Sequence, residues 1–244
     1  MPEKPLKEQA KDNAIFQYTQ QVIFIRHGES DAHVGKAATH IEEVGLTFLG
    51  EKKAQEIAAT FPHTPDLIIV SPYLRAWQTA LPTIERFPNT PHIIWPEVRE
   101  FTYLGSLAGK CTTRLERSEK VTRFWEEAKP EDLDHEDLDR KGESFVQFVE
   151  RARCALDRLR RMEEDLIVIF THEQFIRLVQ CLLLEWDDPE VTKERMIRFR
   201  SILLNSPLSY GYTDGESWQQ HMCRGTIASP PSVALSLKPL PVGR

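Results

Sequence analysis

The sequence is poor in cysteine, has no long apolar run and carries no surplus of positive charge. Four cysteines, Cys111, Cys154, Cys181 and Cys223, are scattered through 244 residues with no C-x-x-C pair. That spacing and this size argue against a disulfide scaffold, and reduced thiols in a cytoplasmic protein are the expectation. Near the termini the longest apolar run is Val22–Ile25, far too short to span a membrane. Residues 1–21 lack the apolar stretch of a secretory signal, so no membrane partner is expected. Lys and Arg total 31 against 37 Asp and Glu, a net charge of −6. Nucleic acid is therefore not an expected partner, because phosphate backbones select basic surfaces. A small anion held by a few local arginines remains compatible with that charge.

What is present is a globular composition, 41% hydrophobic and 28% charged, with enough chain for one sizeable core. Three short β-rich runs, Val22–Ile25, Leu67–Val70 and Leu166–Phe170, are each followed by a helical pattern. His92–Trp95 adds a possible fourth strand. Strands alternating with helices imply parallel βαβ units, hence an α/β three-layer sandwich with a mostly parallel sheet and helices on both faces.

Thr47 is placed to cap a helix with the stripe Ala54, Ile57, Ala58 and Phe61. A second helix is expected from Pro72, with Leu74, Trp77, Leu81 and Ile84 on one face and a kink or early stop at Pro82. A third opens at Ser144, which has capping-box spacing to Gln147. It buries Phe145, Phe148, Val149, Ala152, Ala155, Leu156 and Leu159. A fourth, from about Gln174 to Glu185, is apolar nearly all round. Leu208–Thr213 and Ser217–Met222 flank Asp214-Gly215 and read as an antiparallel edge hairpin. The expected organisation is a polar arm over 1–20, one domain over 21–224 and a disordered tail over 225–244. Residues 128–141 read as a solvated loop, and nothing sets an oligomeric state.

In an open α/β sheet, ligands gather beyond the carboxyl ends of the strands. The first run ends in Arg26-His27-Gly28, the second in Ser71 with Arg75 one turn on, and the third in Thr171-His172. Two arginines and two histidines converging from three strand ends suit a phosphoryl group. Guanidinium matches phosphate oxygens, and a neutral imidazole can attack phosphorus.

Val22 to Ser30 (VIFIRHGES) resembles the signature of the histidine phosphatase superfamily, the phosphoglycerate mutase-like proteins. The likeness continues through Gly45-Leu46-Thr47, Ser71 to Ala80, Arg99-Glu100, Gly105, Gly109, Gly142-Glu143-Ser144 and Thr171-His172, so it spans about residues 21–222. The resemblance implies that His27 forms a phosphohistidine and that Arg26, Arg75 and His172 hold the phosphoryl oxygens. It implies Glu100 as the acid that protonates the leaving oxygen and then activates water. It implies no metal and no cofactor.

Three positions depart from the family pattern. His33 stands where an asparagine often contacts the phosphate, and Gly45-Leu46-Thr47 replaces a proline-containing version. Glu173 stands where many members have glycine after the second histidine. A carboxylate there repels a phosphate unless it points away. The outward direction is expected, with the Glu173 backbone N–H serving the phosphate.

Rival motifs carry less. Cys111 and Arg117 have cysteine-phosphatase spacing, but no apolar strand precedes them and the loop lacks glycine. The aspartates Asp132, Asp134, Asp137 and Asp139 follow no strand. Arg151, Arg153, Arg158, Arg160 and Arg161 read as an exposed helix face. The stretch from Glu100 to His172 is shorter than the insertion that covers the site in mutases of the family. The resemblance therefore implies a phosphomonoester hydrolase acting on a small phosphorylated substrate or a phosphoprotein. A phosphoglycerate mutase-type phosphotransferase and a non-catalytic phosphate-binding relative are the alternatives.

Overall fold

The computed structural model describes residues 20–107, 110–133, 142–184, 186, 189–205 and 232–236. In chain order the elements are β1 (Gln21–Arg26), α1 (Phe48–Thr60), β2 (Leu67–Val70), α2 (Leu74–Arg86) and β3 (His92–Ile94). There follow α3 (Ser118–Glu127), α4 (Phe145–Leu159), β4 (Leu166–Thr171), α5 (Glu173–Leu184), α6 (Lys193–Asn205) and β5 (Ser232–Ser236). The sheet order is β3-β2-β4-β1-β5. The first four strands in that order run parallel, and β5 lies antiparallel against β1.

The expected edge hairpin at 208–222 lies outside the described residues. The antiparallel strand at that edge comes instead from Ser232–Ser236, inside the segment expected to be a disordered tail. That expectation is corrected for these five residues. Ser-Val-Ala-Leu-Ser has strand-compatible alternation, and pairing satisfies backbone groups that β1 would otherwise leave open.

The sheet divides two apolar layers because alternate side chains of a strand point to opposite faces. Val22 and Phe24 of β1 join the larger layer, with Phe145, Phe148, Phe175 and Phe199. Ile25 joins the other, with Ile57, Phe61, Ile68, Val70 and Phe170. Helices α1 and α2 thus cover one face, and α3 to α6 the other. Each fully buried phenylalanine contributes about 2–3 kcal/mol of apolar burial.

Local signals explain the starts of α1 and α4. Thr47 accepts the Gly50 N–H at 3.1 Å. Ser144 and Gln147 close a reciprocal capping box, at 3.2 Å and 3.0 Å. Helix α2 differs from its expected form in two ways. It runs through Pro82 to Arg86 without stopping, and its buried side is Arg75, Ala76, Thr79, Ala80 and Thr83. Leu74 and Leu81 lie on the exposed side. The helix turns small and polar residues inward because Arg75 and Thr79 serve the strand ends.

Helices α3 and α6 have no counterpart in the sequence reading. Each buries only two side chains, Phe124 and Trp125 in α3, Met196 and Phe199 in α6. The apolar positions, Val121, Phe124 and Trp125 in α3 and Met196, Ile197, Phe199, Ile202, Leu203 and Leu204 in α6, are interleaved with charged residues, which obscures the stripe.

Candidate active site

Strand register brings the motif residues together. Arg26 pairs with Thr171, and Val70 pairs with Phe170. His27 and His172 therefore follow β1 and β4 at one level, and Ser71 follows β2 one residue short of it. His27 N–H reaches Thr171 O at 2.9 Å, and Ser71 N–H reaches Phe170 O at 2.9 Å. His27 and His172 meet edge to face with ring centroids 5.1 Å apart, and the Tyr73 ring lies 5.0 Å from His172. Gly28 permits this packing, since a Cβ there would sit 2.8 Å from Gly50 O at the start of α1. Its N–H donates to Thr79 Oγ1 at 3.0 Å.

The hydrogen bonds determine the state of His27. Its Nδ1 lies 2.7 Å from Gly28 O, and a carbonyl can only accept, so Nδ1 carries the proton. Nε2 then presents a lone pair, which accepts from Arg75 Nε at 3.0 Å. Burial, then the charges of Arg75, His172 and Arg26, hold the ring well below the usual imidazole range. His27 is therefore a neutral, oriented nitrogen base at neutral pH.

The same reasoning applies to His33. The Ser30 N–H donates to its Nδ1 at 3.2 Å, which puts the proton of the neutral ring on Nε2. Burial and the charges of Arg26, Arg75 and Arg114 bring His33 down to about 4. Its ring centroid is 5.7 Å from that of His27. The neutral ring therefore carries its N–H donor at Nε2.

His172 is fully buried, with Nε2 at 2.7 Å from Ser71 Oγ and Nδ1 without a hydrogen-bond partner. Burial, then the charges of Arg75, Arg151 and Arg26, hold it well below its usual range. A buried polar atom left unpaired is costly unless a ligand completes it.

Arg75 also donates through Nη1 to Ile41 O at 2.6 Å, which fixes its fork against the loop before α1. Arg26 Nη2 meets Glu173 Oε2 at 2.7 Å, with side chains 8% and 18% exposed. The expectation that Glu173 points outward is thereby overturned. As the first residue of α5, directly after His172, it projects across the strand ends to the nearest cation, which is Arg26.

Glu100 is partly buried on the loop after β3 and accepts the Phe101 N–H at 3.0 Å. Burial raises its pKa, and the Glu173 charge adds to this. The Phe101 N–H and the charges of Arg75 and Arg26 oppose the rise. Phe101 stacks on Phe148 at 4.5 Å and contacts Phe124, Trp125 and Phe145, so the aromatic core pins the loop.

Arg151 anchors the same loop. Its Nε and Nη2 meet the two Glu143 oxygens at 2.7 Å and 2.6 Å. Its Nη1 donates to Glu97 O at 2.7 Å and Arg99 O at 3.0 Å. Arg99 joins Glu143 at 3.1 Å. Arg151 is therefore not part of an exposed helix face, a second correction, because the acid at the helix entrance draws it inward.

Sequence reasoning also passed over the roles of Ser71, Tyr73 and Glu143. Ser71 and Tyr73 lie within the quoted Ser71-to-Ala80 motif, and Glu143 within Gly142-Glu143-Ser144, but residue type alone carried no contact. Tyr73 Oη lies 2.8 Å from Thr102 Oγ1, tying α2 to the Glu100 loop. Cys111 is exposed. Among the described residues no three His, Cys, Asp or Glu side chains are grouped as a metal site needs, and no helix is long and apolar enough to cross a membrane.

Comparison with known proteins bears on the family and the fold. The family model described as "Histidine phosphatase superfamily (branch 1)" matches residues 22–224. Among solved structures, a putative alpha-ribazole-5'-P phosphatase from Escherichia coli K-12 aligns at TM-score 0.57 and 22% identity, covering 73% of this chain and 84% of that one. A mycobacterial glucosyl-3-phosphoglycerate phosphatase aligns at TM-score 0.54 and 22% identity, covering 75% and 84%. The alpha-ribazole phosphatase from Shigella flexneri aligns at 0.56 and 21%, covering 73% and 84%. At these identities the structural likeness speaks for the fold. No curated protein matches the chain. With the family model spanning most of its length and the strand-end histidines and arginines assembled, this chain belongs to the histidine phosphatase superfamily.

Proposed function

We propose that the chain is a metal-independent phosphomonoester hydrolase working through a phosphohistidine at His27. The observation that carries this reading is the Nδ1 contact with Gly28 O, which leaves the buried Nε2 unprotonated and oriented. Nε2 attacks phosphorus in line, the bond to the leaving oxygen breaks, and Glu100 donates a proton to that oxygen. Water then loses a proton to Glu100 and attacks the phosphoryl group, the P–N bond breaks, and phosphate leaves. The raised pKa of Glu100 suits the first step, since a carboxyl that keeps its proton can act as an acid.

Arg75 turns from Nε2 to a phosphoryl oxygen as the group arrives. Ser71 accepts the Tyr73 N–H and donates to His172 Nε2, leaving a proton on the unpartnered Nδ1 for a second oxygen. His33 offers its Nε2–H. Positioning and charge neutralisation account for most of the acceleration such a site can supply. Hydrolysis is favoured over isomerisation because the segment between Glu100 and His172 is short, and a mutase must exclude water to return the group to product. The substrate is a small phosphorylated molecule or a phosphoprotein, and the scattered thiols fit a cytoplasmic setting.

Brief incubation with a labelled phosphomonoester should leave acid-labile, base-stable label on His27, absent from His27→Ala. Turnover of a phosphomonoester panel should fall to background in the same variant. Acid-stable label, or label on Cys111, would refute the assignment.

A further inference from the structure

Tyr73 stands at the N-cap of α2, where serine, threonine, asparagine and aspartate are favoured because their side chains satisfy the first N–H groups of a helix. The Tyr73 side chain makes no capping bond. It is buried against the phosphoryl site instead. Its ring meets His172 at 5.0 Å between centroids, and the Arg75 guanidinium lies 4.9 Å from the ring centre. The phenol hydroxyl reaches away from both, to Thr102 Oγ1 at 2.8 Å. Proton counting fixes the direction of that bond. Thr102 Oγ1 lies 3.2 Å from Glu100 O, a carbonyl that can only accept, so the single threonine proton goes there. Tyr73 then donates to Thr102. Burial raises the Tyr73 pKa, so the phenol keeps this proton at neutral pH. Two hydrogen bonds thus run in series from Tyr73 through Thr102 to Glu100 O, each polarising the next.

Thr102 is itself held in place, because its carbonyl accepts the Glu143 N–H at 2.8 Å. Glu100 has two further restraints. Its Oε1 accepts the Phe101 N–H at 3.0 Å, and Arg151 Nη2 lies 3.5 Å from its carbonyl oxygen. Tyr73 adds what these do not. One side chain touches the phosphoryl-holding groups through its ring and the acid-bearing turn through its hydroxyl. We infer that the Tyr73 hydroxyl, acting through Thr102, is a positioning device that sets the Glu100 carboxyl against the leaving oxygen of the substrate. This deepens the hydrolase reading and rests on it for the role of Glu100. Proton delivery is sensitive to placement, since a shift of about 1 Å can cost about a hundredfold. Phosphoryl binding draws on the ring, which loss of the hydroxyl leaves in place.

Tyr73→Phe and Thr102→Val each delete one hydroxyl with little change of shape. Steady-state rates on an alkyl and an activated aryl phosphate, with inhibition by inorganic phosphate, separate the acid from the phosphoryl-holding groups. Both variants should lose about tenfold in kcat on the alkyl phosphate and less than about twofold on the aryl one, because only the former needs a proton. The inhibition constant for phosphate should stay within about twofold of wild type, since the ring remains against His172 and Arg75. The double variant should fall no further than either single, as two links of one chain must. Thr102→Ser keeps the hydroxyl and should recover most of the alkyl phosphate rate. The Thr102 variants report on the same chain should Tyr73→Phe fail to fold. Equal losses on both substrates, losses that multiply in the double variant, or full alkyl phosphate turnover in both folded singles overturns the inference. Label on His27 of wild type then leaves the hydrolase reading standing. Wild type with neither turnover nor label removes that reading and the inference with it.

Discussion

Arg151→Met should lower stability by about 4 kcal/mol, and the size follows from what the guanidinium touches. Its partner Glu143 is 8% exposed and Arg151 itself 9%, with both carboxylate oxygens engaged. Breaking a buried pair by removing one partner costs about 3–5 kcal/mol, because the surviving charge is stranded. Arg99 still reaches Glu143, but from a side chain 32% exposed, which brings the cost to the lower end of that range. The lost bonds to Glu97 O and Arg99 O add about 1 kcal/mol. Against a typical total of about 5–15 kcal/mol, the variant should remain folded but shift its urea midpoint well below wild type. Urea unfolding by circular dichroism on Arg151→Met, Glu143→Gln and the double variant measures the pair as a unit. Removing both charges avoids the stranded carboxylate, so the double variant should lose less than the sum of the singles, by about 1.5 kcal/mol or more. The carbonyls that Arg151 holds belong to the loop carrying Glu100, so turnover of poor leaving groups should fall about tenfold in Arg151→Met. Single losses below about 1 kcal/mol, with coupling below about 0.5 kcal/mol, would show that the pair does not anchor the loop.

Glu100→Gln should slow alkyl phosphates about a hundredfold and activated aryl phosphates much less, because only the former need protonation. Equal losses in steady-state rates would reduce Glu100 to a shaping role. In wild type, alkyl phosphate turnover should decline as pH rises through the elevated pKa of Glu100, and a pH–rate profile without that limb contradicts the acid role. His33 is depressed from 6.5 to about 4, so the unfolded chain binds the extra proton between those values. Stability should therefore fall as pH drops below about 6.5, and His33→Asn should soften that fall by about 1 kcal/mol after allowance for partial exposure. Thermal unfolding at pH 7.5 and 5 compares the two. Gly28→Ala forces a Cβ to 2.8 Å from Gly50 O and should cost most of the activity, read as kcat at unchanged protein concentration. Retention of more than half would show that the loop can shift without disturbing His27.

Much of the fold is legible because burial leaves a periodic trace. The all-buried run of β2 and the stripe of α4 show where chain meets core on strand and helix periods, and the Ser144–Gln147 box marks a start by chemistry alone. Helix α2 misleads for a physical reason. Of its apolar stripe, Leu74 and Leu81 lie outward while Trp77 and Ile84 pack against the core, and Arg75 and Thr79 are drawn in by hydrogen bonds to His27 and Gly28. A periodicity argument ranks residues by hydrophobicity, and here hydrogen bonding at the strand ends outweighs it.

The sequence alone determined the strand order of chemistry: an arginine and histidine after the first strand, an arginine one turn past the second, a histidine after the third. That order is local, since each motif carries its own strand, turn and helix start. Only the tertiary structure decided what these groups do to one another. The parallel register aligns His27 with His172 and sets Ser71 one residue short of them, and the fold fixes the His27 tautomer between Gly28 O and Arg75 and turns Glu173 onto Arg26. Charge pairing depends on distances of a few ångströms between residues far apart in the chain, and no spacing along a single strand or helix records those.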